Sequence, residues 1–325
     1  MFSVTIFMPK ISVIIPAYRA QDTLTRSVKS VLNQTLQDFE IIIVDDGSPD
    51  KSGMIADELA MSDLRIKVIH KKNQGPLEAR RSGQKIATGE YRMHLDSDDA
   101  LTPDALATMY DFAQRQNLDY LLTGYNRITP KNASVISPVY GEVVIDTRQM
   151  IEHLINPNFL FIGCMCFSKS ELWNSIDEIF PILNKKLPGE DIIANFRLAI
   201  KSNRIGIVEK PVYNYYYNPN SLTSLQTYFK QDLIHDFFNE IEDILKQGGL
   251  LDEMQYQFNI MKLHYVGFYV PHIDKTDPWI KQLRNIPKNQ LSKKYKVLQF
   301  LLCNNTLRRT LISGHRCLKS AFRQI

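Results

Sequence analysis

The chain has 325 residues, of which 44% are hydrophobic and 23% charged, and this ordinary globular composition excludes a disordered or fibrous protein. The length favours two domains, or one large domain with an appendage. No apolar run is long enough to span a membrane, and the start lacks the basic segment and cleavage site of a signal peptide. The four cysteines do not have the paired spacing of a zinc site. Cys164 and Cys166 are two residues apart, which would place both thiols on the same face of a strand. They favour reduced core thiols and a cytoplasmic location.

The first 125 residues alternate short β-branched runs with helical patterns. Strands are predicted at Ile11–Pro16, Phe39–Val44, Ile66–Ile69, Tyr91–Leu95 and Tyr120–Thr123. Helices are predicted between them, from a cap at Asp22 or Thr23 to Leu32, then at Ser52–Met61, Leu77–Ala87 and Pro103–Asn117. This alternation predicts an α/β fold with a mostly parallel sheet and right-handed crossovers.

The remainder of the chain is less regular and ends in helices. Short strands and turns are expected over 128–145, a helix at Thr147–Ile155, a strand at Phe159–Phe167, and a helix that opens at Gly189. Late strands are expected at Ile205–Val208 and Tyr213–Tyr217, and helices at Tyr228–Lys246 and Glu253–Tyr269. We therefore divide the chain into an α/β domain, residues 1–225, and a helical C-terminal region, residues 226–325.

Polar residues gather where three of the predicted strands end. Asp45 and Asp46 follow the second strand, residues 71–74 follow the third, and residues 96–99 follow the fourth. In open parallel sheets, ligands bind beyond the carboxyl ends of the strands. The pattern therefore predicts a binding site at this edge of the sheet.

The run Asp96-Ser97-Asp98-Asp99 packs carboxylates so closely that a cation is a natural partner. Mg²⁺ or Mn²⁺ typically takes one or two protein carboxylates, together with water and a substrate diphosphate. An EF-hand is excluded because Leu101 and Ala107 occupy the positions that require Gly and Glu. The alternative is an ordinary loop whose Asp98 or Asp99 caps the helix near Pro103. The dinucleotide-binding and P-loop glycine motifs are absent.

Five segments in order resemble the family 2 glycosyltransferases, which have the GT-A fold. They are Ile11–Tyr18, Val44–Ser48, Asn73–Arg80, Leu95–Asp99 and Gly189–Asp191. The resemblance covers about residues 10–225, and it implies a GT-A domain followed by a helical extension. It also implies an inverting transfer of a hexosyl or N-acetylhexosaminyl group from a nucleotide-sugar, such as a UDP-sugar. The implied acceptor is a saccharide or lipid-linked saccharide in bacterial surface polysaccharide synthesis, as in capsule or lipopolysaccharide.

The resemblance also implies a role for each matching residue. Pro16, Ala17 and Tyr18 would lie along the nucleotide, and Asp45 would accept a hydrogen bond from uracil or another base. Arg80 would lie near the base, while Asp96 with Ser97 would face the ribose or the donor sugar. Asp98 would bind Mn²⁺ or Mg²⁺, supported by Asp99, and Asp191 would be the catalytic base, with Glu190 as the other candidate. Each residue also has an ordinary structural interpretation, since Glu190 and Asp191 suit any helix N-terminus.

One segment departs from the family pattern. Relatives often carry Arg or His after a late Tyr-rich strand, where the basic side chain meets the diphosphate, but Tyr216 and Asn218 stand there in this chain. Lys71, Lys72 or a residue of the basic tail can replace it, and the sequence does not choose among them. The four tyrosines at positions 213, 215, 216 and 217 form either a sugar-binding platform or part of the core.

The C-terminal tail is strongly basic. From Pro278 to Ile325 there are 11 Lys or Arg residues and no acidic residue, in an amphipathic pattern that suits an anionic membrane surface. We predict a cytoplasmic enzyme that docks on the inner face of the membrane. The alternatives for the tail are packing on the catalytic domain or a homo-oligomer contact. The alternatives for function are an inactive saccharide-binding or scaffold protein and a sugar nucleotidyltransferase. No nucleic-acid-binding module is recognisable.

Overall fold

The computed structural model describes residues 8–175, 189–218, 231–269 and 276–302. The strands are β1 (Ile11–Ala17), β2 (Phe39–Asp45), β3 (Ile66–His70), β4 (Tyr91–His94), β5 (Ala100–Leu101), β6 (Tyr120–Ile128), β7 (Ala133–Ile136), β8 (Glu142–Ile145), β9 (Phe167–Lys169) and β10 (Ile205–Tyr216). The α-helices are α1 (Leu24–Leu32), α2 (Ser52–Ser62), α3 (Pro76–Ile86), α4 (Ala105–Gln116), α5 (Thr147–Ile155), α6 (Glu190–Lys201), α7 (Gln231–Gln247), α8 (Leu251–Tyr269), α9 (Pro278–Arg284) and α10 (Lys293–Leu301).

These strands form one mixed sheet flanked by helices. Its order is β3-β2-β1-β4-β9-β6-β10-β5, with β7 added beside β6 and β8 beside β10. Parallel pairs join β1 to β2 and β4, β2 to β3, and β6 to β10. Strand β9 runs antiparallel between β4 and β6, so β1, β2, β3, β4, β6 and β10 all point the same way. The predicted mostly parallel α/β fold is confirmed.

Both faces of the sheet are buried around β1 and β2, as their continuous apolar sequences predict. Val13 packs in one apolar cluster with Leu24 and Val28 of α1. Ile14, which points to the opposite face, packs in another cluster with Ala79 of α3. This burial fixes the register of β1 and β2, and therefore fixes where the polar residues at their ends lie.

The C-terminal helices share the largest apolar cluster with α5 and α6. That cluster contains Phe196 of α6, Phe237 of α7, Phe258 of α8 and Leu298 of α10. The domain boundary predicted near residue 225 stays a prediction. The apolar cluster contains residues from both sides of that boundary. In the part of the chain that the structure describes, no helix is both long enough and apolar enough to cross a bilayer.

The strand predicted at Phe159–Phe167 is wrong over most of its length. Residues Gly163–Met165 form a 3₁₀ helix, Cys166 has a left-handed backbone with φ 46°, and β9 begins only at Phe167. The physical reason is that Ile162 and Met165, three residues apart, pack into the same cluster, while Cys166 packs into the other. Cys164 and Cys166 therefore do not alternate along a strand, although both are free thiols.

The two predicted late strands are a single strand, β10. The pairing of β10 with β6 shifts register on both sides of Pro211, so the proline interrupts the ladder without ending the strand. Residues 219–230 and the tail beyond residue 302 lie outside the described residues. That excluded tail includes Arg308, Arg309, Arg316, Lys319 and Arg323.

Candidate active site

The polar residues at the ends of β1, β2 and β4 meet at one edge of the sheet. Ala17 is paired with Asp45 in the parallel register, and the backbone N–H of Asp46 donates to the carbonyl of Ala17 at 2.9 Å. The backbone N–H of Leu95 donates to Ile14 of β1 at 2.9 Å, so Asp96 begins the loop beside the same strand. Pro16 and Ala17 are buried, whereas Tyr18 is 44% exposed.

Asp45 is held on both sides at the end of β2. Its carboxylate accepts the backbone N–H of Ser48 at 3.0 Å and lies 3.1 Å from Nδ1 of His70. Nε2 of His70 lies 2.9 Å from Asp57, and the hydrogen bonds with Asp57 and Asp45 together raise the pKa of His70. We did not single out His70 from the sequence, although its place at the end of β3 could have drawn attention to it.

The neighbouring Asp46 stabilises the turn between β3 and α3. Its carboxylate accepts the backbone N–H groups of Gln74 at 3.0 Å and Gly75 at 2.7 Å, and it lies 3.0 Å from Nζ of Lys71. These bonds fix the turn that leads into α3. Lys71, one of the candidates for the missing phosphate-binding cation, is therefore already engaged by a buried carboxylate.

Arg80 connects the acidic loop after β4 with the acidic pair that begins α6. Its Nη2 lies 2.7 Å from Asp96 Oδ1, its Nη1 lies 4.0 Å from Glu190, and the residue is only 7% exposed. Burial opposes the charge, but Asp96, Cys164 and Glu190 outweigh it and raise the pKa of Arg80. Within the described residues, the buried Nε of Arg80 has no hydrogen-bond partner. These contacts place Arg80 between two sets of carboxylates, and its predicted position near the base stays a prediction.

Glu190 and Asp191 occupy the first turn of α6. Burial raises the pKa of both carboxyl groups, and mutual repulsion adds to the rise at Glu190. Gly163 lies against Asp191, since a Cβ on Gly163 would be 2.5 Å from Asp191 Oδ2. Asn195 holds this contact by donating to the carbonyls of Gly163 at 2.7 Å and Asp191 at 2.6 Å. A carboxyl group with a raised pKa is suited to proton transfer near neutral pH.

Asp99 fastens the acidic loop to the end of β10. Its carboxylate accepts the hydroxyl of Tyr213 at 2.9 Å and the backbone N–H of Tyr216 at 2.8 Å, and it is almost completely buried. Burial, followed by repulsion from Asp96 and Asp98, raises the pKa of Asp99 to about 8. Tyr213 is also fully buried, so this member of the tyrosine group belongs to the core.

Asp98 and Ser97 are half-buried at the mouth of the loop. The side-chain amide of Asn218 donates to Asp98 Oδ2 at 2.9 Å, and burial is the largest cause of a raised Asp98 pKa. The guanidinium of Arg26, on α1, donates to the carbonyl of Asp98 and stacks 3.9 Å above the ring of Tyr216. Arg26 was not singled out from the sequence, because nothing in its local pattern distinguishes it from other exposed helix residues.

His94 is a third residue that was not singled out from the sequence. It is fully buried, and burial followed by repulsion from Arg80 lowers its pKa to about 3. The amide nitrogen of Gln84 lies 2.8 Å from His94 Nε2 and can only donate, so Nδ1 carries the proton that is shared with the carbonyl of Cys164 at 3.1 Å. This neutral histidine joins the end of β4 to the 3₁₀ turn that carries Gly163.

The site contains only a few carboxylate oxygens that could bind a Mg²⁺ or Mn²⁺ ion. Across residues 8–175, 189–218, 231–269 and 276–302, no cluster of three or more His, Cys, Asp or Glu side chains could hold a metal. Asp98, half-buried and with Asp96 nearby, fits a Mg²⁺ or Mn²⁺ ion that takes one or two protein oxygens and completes its shell from substrate and water. Both oxygens of Asp99 are occupied by β10, so Asp99 fits a supporting role better than direct ligation.

Comparison with known proteins agrees with this architecture. The model of Glycosyl transferase family 2 matches residues 12–170. The uncharacterized glycosyltransferase EpsJ of Bacillus subtilis is 29% identical over 222 residues, which are 67% of this chain and 64% of EpsJ. Glycosyltransferase GlyG of Streptococcus pneumoniae is 27% identical over 266 residues, which are 78% of this chain and 86% of GlyG.

A solved structure shares the fold over nearly the whole chain. The crystal structure of S. aureus TarS in complex with UDP-GlcNAc aligns with a TM-score of 0.63 at 19% identity, covering 97% of this chain and 92% of that one. Together with the family match and the strand-end carboxylates, this likeness confirms the GT-A fold. Residues 12–170 of the chain thus form a family 2 glycosyltransferase domain.

Proposed function

We propose that this protein transfers a sugar from a nucleoside diphosphate sugar, with a UDP-sugar as the first candidate, to a hydroxyl of a saccharide or lipid-linked saccharide. The observation that carries the proposal is the position of Arg80, which joins Asp96 at the donor edge of the sheet to the Glu190–Asp191 pair. The residues that bind the donor and the residue that acts as the base must both lie close to the reacting carbon of the sugar. Because the buried Arg80 lies between these two groups of residues, its position supports a transfer reaction.

The donor half of the site follows the strand ends. Asp45 would accept the N–H of the base, and Pro16, Ala17 and the exposed ring of Tyr18 would lie along the nucleoside. Asp96 and Ser97 would face the ribose or the donor sugar. The crystal structures of S. aureus TarS in complex with UDP-GlcNAc and with UDP support a nucleotide-sugar as the ligand of this fold.

Asp98 would hold a Mn²⁺ or Mg²⁺ ion. Asp99 would keep the acidic loop in place through its hydrogen bonds with Tyr213 and Tyr216. When bound, the ion would act as a Lewis acid that stabilises the diphosphate leaving group. Arg80 orients Asp96 through the 2.7 Å contact. Metal dependence is therefore part of the proposal.

Asp191 would take the proton from the acceptor hydroxyl, and Glu190 is the other candidate for this base. Their raised pKa values make them stronger bases than ordinary carboxylates. A base on the side of the sugar away from the leaving diphosphate gives a single displacement that inverts the anomeric centre. No covalent intermediate on the protein is required.

The acceptor is proposed to be lipid-linked because the C-terminal region carries an exposed basic surface. On α10, Leu298 and Leu301 are buried in the protein, while Lys293, Lys294 and Lys296 are exposed. Val297 and Phe300, 52% and 64% exposed, lie on the same surface. Packing on the body thus accounts for one face of α10, and the other face has the basic and apolar mixture that suits an anionic bilayer. We propose a cytoplasmic protein at the inner membrane face, in the synthesis of a bacterial surface polysaccharide.

Membrane docking is tested by co-sedimentation with vesicles that contain phosphatidylglycerol, at low and high salt. We expect the parent to sediment at low salt, and a variant with glutamine at the three lysines of α10 to sediment less. Equal recovery of both proteins in the supernatant would contradict docking through α10.

The transfer function is tested by screening UDP-, GDP-, TDP- and CDP-sugars for binding and for nucleotide release, with Mn²⁺ and with EDTA. Asp98→Asn should lose metal-dependent donor binding. Asp191→Asn should keep donor binding and turn over at least about 100-fold more slowly, the usual effect of losing a general base. Asp111→Asn, an exposed aspartate on α4, is the control with the same change of charge.

Two outcomes would count against the assignments. If Asp191→Asn turned over at the parental rate, Asp191 would not be the base, and Glu190→Gln would then be the decisive variant. If no donor in the series bound the parent protein with or without metal, the proposed function would be refuted.

A further inference from the structure

We propose that Arg26 is the cation that clamps the donor diphosphate, and that Tyr216 and Asn218 position it and its loop. This inference rests on the proposed function and deepens it, because it names the residue that binds the charged part of the donor. It also accounts for Tyr216 and Asn218 standing where relatives often carry Arg or His, since the positive charge comes from α1 instead.

The guanidinium of Arg26 is fixed in two independent ways. It lies 3.9 Å above the ring of Tyr216, and it donates a hydrogen bond to the backbone carbonyl of Asp98. A guanidinium held over an aromatic ring loses little additional freedom when it binds an anion. Its attachment to Asp98 places the cation beside the proposed metal-binding carboxylate.

Tyr216 itself is anchored to the acidic loop. Its backbone N–H donates to Asp99 at 2.8 Å, and two residues later the amide of Asn218 donates to Asp98 at 2.9 Å. The end of β10 therefore supplies a ring and an amide rather than a charge. The ring holds Arg26, and the amide orients the carboxylate of Asp98.

Arg26 keeps donors for a ligand. It is exposed, and its hydrogen bond to Asp98 uses only one of the five N–H groups of a guanidinium. The planar arrangement of these donors matches two oxygens of a phosphate. Arg80 is already engaged by Asp96, and Lys71 by Asp46, so Arg26 is the arginine at this edge best placed to meet a diphosphate.

The test compares ligands with and without phosphates. Affinities of UDP, uridine and Mg²⁺-pyrophosphate are measured by calorimetry, with ligand-observed NMR for weak binders, on the full chain and on Arg26→Gln, Arg26→Lys and Lys29→Gln. Another diphosphate and its nucleoside replace UDP and uridine if the parent prefers them. Lys29 is an exposed cation on the same helix, so it controls for the loss of one surface charge.

We expect Arg26→Gln to lose about 10- to 100-fold in affinity for UDP, the usual range for one or two charge-assisted hydrogen bonds. Pyrophosphate affinity should fall in parallel, while uridine affinity stays unchanged. Arg26→Lys should recover part of the loss, and Lys29→Gln should bind like the parent. Tyr216→Leu should weaken UDP binding, whereas Tyr216→Phe, which keeps the ring, should not.

Three results would overturn the inference. Parental UDP affinity in Arg26→Gln would remove Arg26 from diphosphate binding and leave the proposed function intact. Equal losses of UDP and uridine affinity in both Arg26 variants would indicate a structural role for this side chain. A parent protein that binds no nucleoside diphosphate and no nucleotide-sugar would refute the proposed function, and this inference with it.

Discussion

Replacing Arg80 with Met is the most informative single change, because it removes one buried charge that serves two groups of carboxylates. Asp96 lies 2.7 Å and Glu190 4.0 Å from the guanidinium. At an effective dielectric constant of about 20, a unit charge pair at 4 Å is worth about 4 kcal/mol. Removing one partner of a buried ion pair generally costs about 3 to 5 kcal/mol, so we expect a loss of that size in the free energy of unfolding near neutral pH.

The free energy of unfolding that Arg80→Met loses should be larger at high pH than at low pH. Glu190 and Asp191 have raised pKa values in the folded state. The folded protein therefore binds protons at these two groups more tightly than the unfolded chain does. The resulting contribution to the free energy of unfolding is fully present below the unfolded pKa values of about 4, and it is lost as the pH rises through the folded pKa values. Arg80 lowers both folded pKa values. Without it both pKa values should rise further, so Arg80→Met should be nearer to the parent at about pH 5 and most destabilised at about pH 8.

Urea unfolding at several pH values measures this difference without any knowledge of the substrate. Arg115→Met is the control, because Arg115 forms an exposed pair with Glu142 at 3.0 Å and should cost no more than about 1 kcal/mol. In the nucleotide-release assay, the acid limb of the activity profile of Arg80→Met should move to higher pH. A destabilisation below about 1 kcal/mol, or one that is the same at every pH, would refute the role we assign to Arg80.

Two other substitutions test the surroundings of the site. Gly163→Ala would place a Cβ 2.5 Å from Asp191 Oδ2 and should slow turnover by about 100-fold through misplacement of the base, with UDP affinity retained. Gly248→Ala, whose Cβ would meet its nearest neighbour at 3.4 Å, is the control, and equal turnover in the two variants would contradict this reasoning. His70→Gln removes an imidazole whose pKa is raised by Asp57 and Asp45, so its stabilisation is complete below about pH 6.5 and is lost as pH rises through the folded pKa. Because half of this side chain is exposed, we expect at most about 1 kcal/mol in urea unfolding at low pH and a smaller loss at high pH, and the opposite trend would exclude the proposed contacts.

The sequence predicts most of the fold because its signals are local. The apolar runs of β1 and β2 indicate strands buried on both faces, and α5 was predicted with its true bounds, Thr147–Ile155. The start of α5 has a local cause, since Asp146 and Gln149 form a reciprocal capping box. Strand β5, Ala100–Leu101, has no such signal, because two residues carry no periodicity and are defined only by pairing with β10.

The site was predicted only in part, for the same physical reason. Strand ends identify Asp45 and Asp96, since polar residues after buried strands stand out in the sequence. The partners of these residues come from distant segments: Arg26 reaches Asp98 across 72 positions and His94 reaches Cys164 across 70. Spacing along the chain cannot indicate such contacts, and Arg26 resembles any exposed arginine on a helix. Whether the predicted site residues perform their assigned roles stays a prediction.

The geometry changes the argument for a metal ion. From the sequence, the cation was needed to relieve repulsion among Asp96, Asp98 and Asp99. In the structure that repulsion is already reduced, because Arg80 meets Asp96 and Arg26 donates to the loop at Asp98. Burial and its acidic neighbours raise the pKa of Asp99 to about 8, and Tyr213 and Tyr216 donate hydrogen bonds to its two oxygens. A divalent ion at Asp98 would add positive charge beside Arg26, and this charge would favour the binding of a diphosphate. In the proposed mechanism the metal would serve the leaving group rather than the folded protein, so Asp98→Asn should impair donor binding while leaving the fold intact.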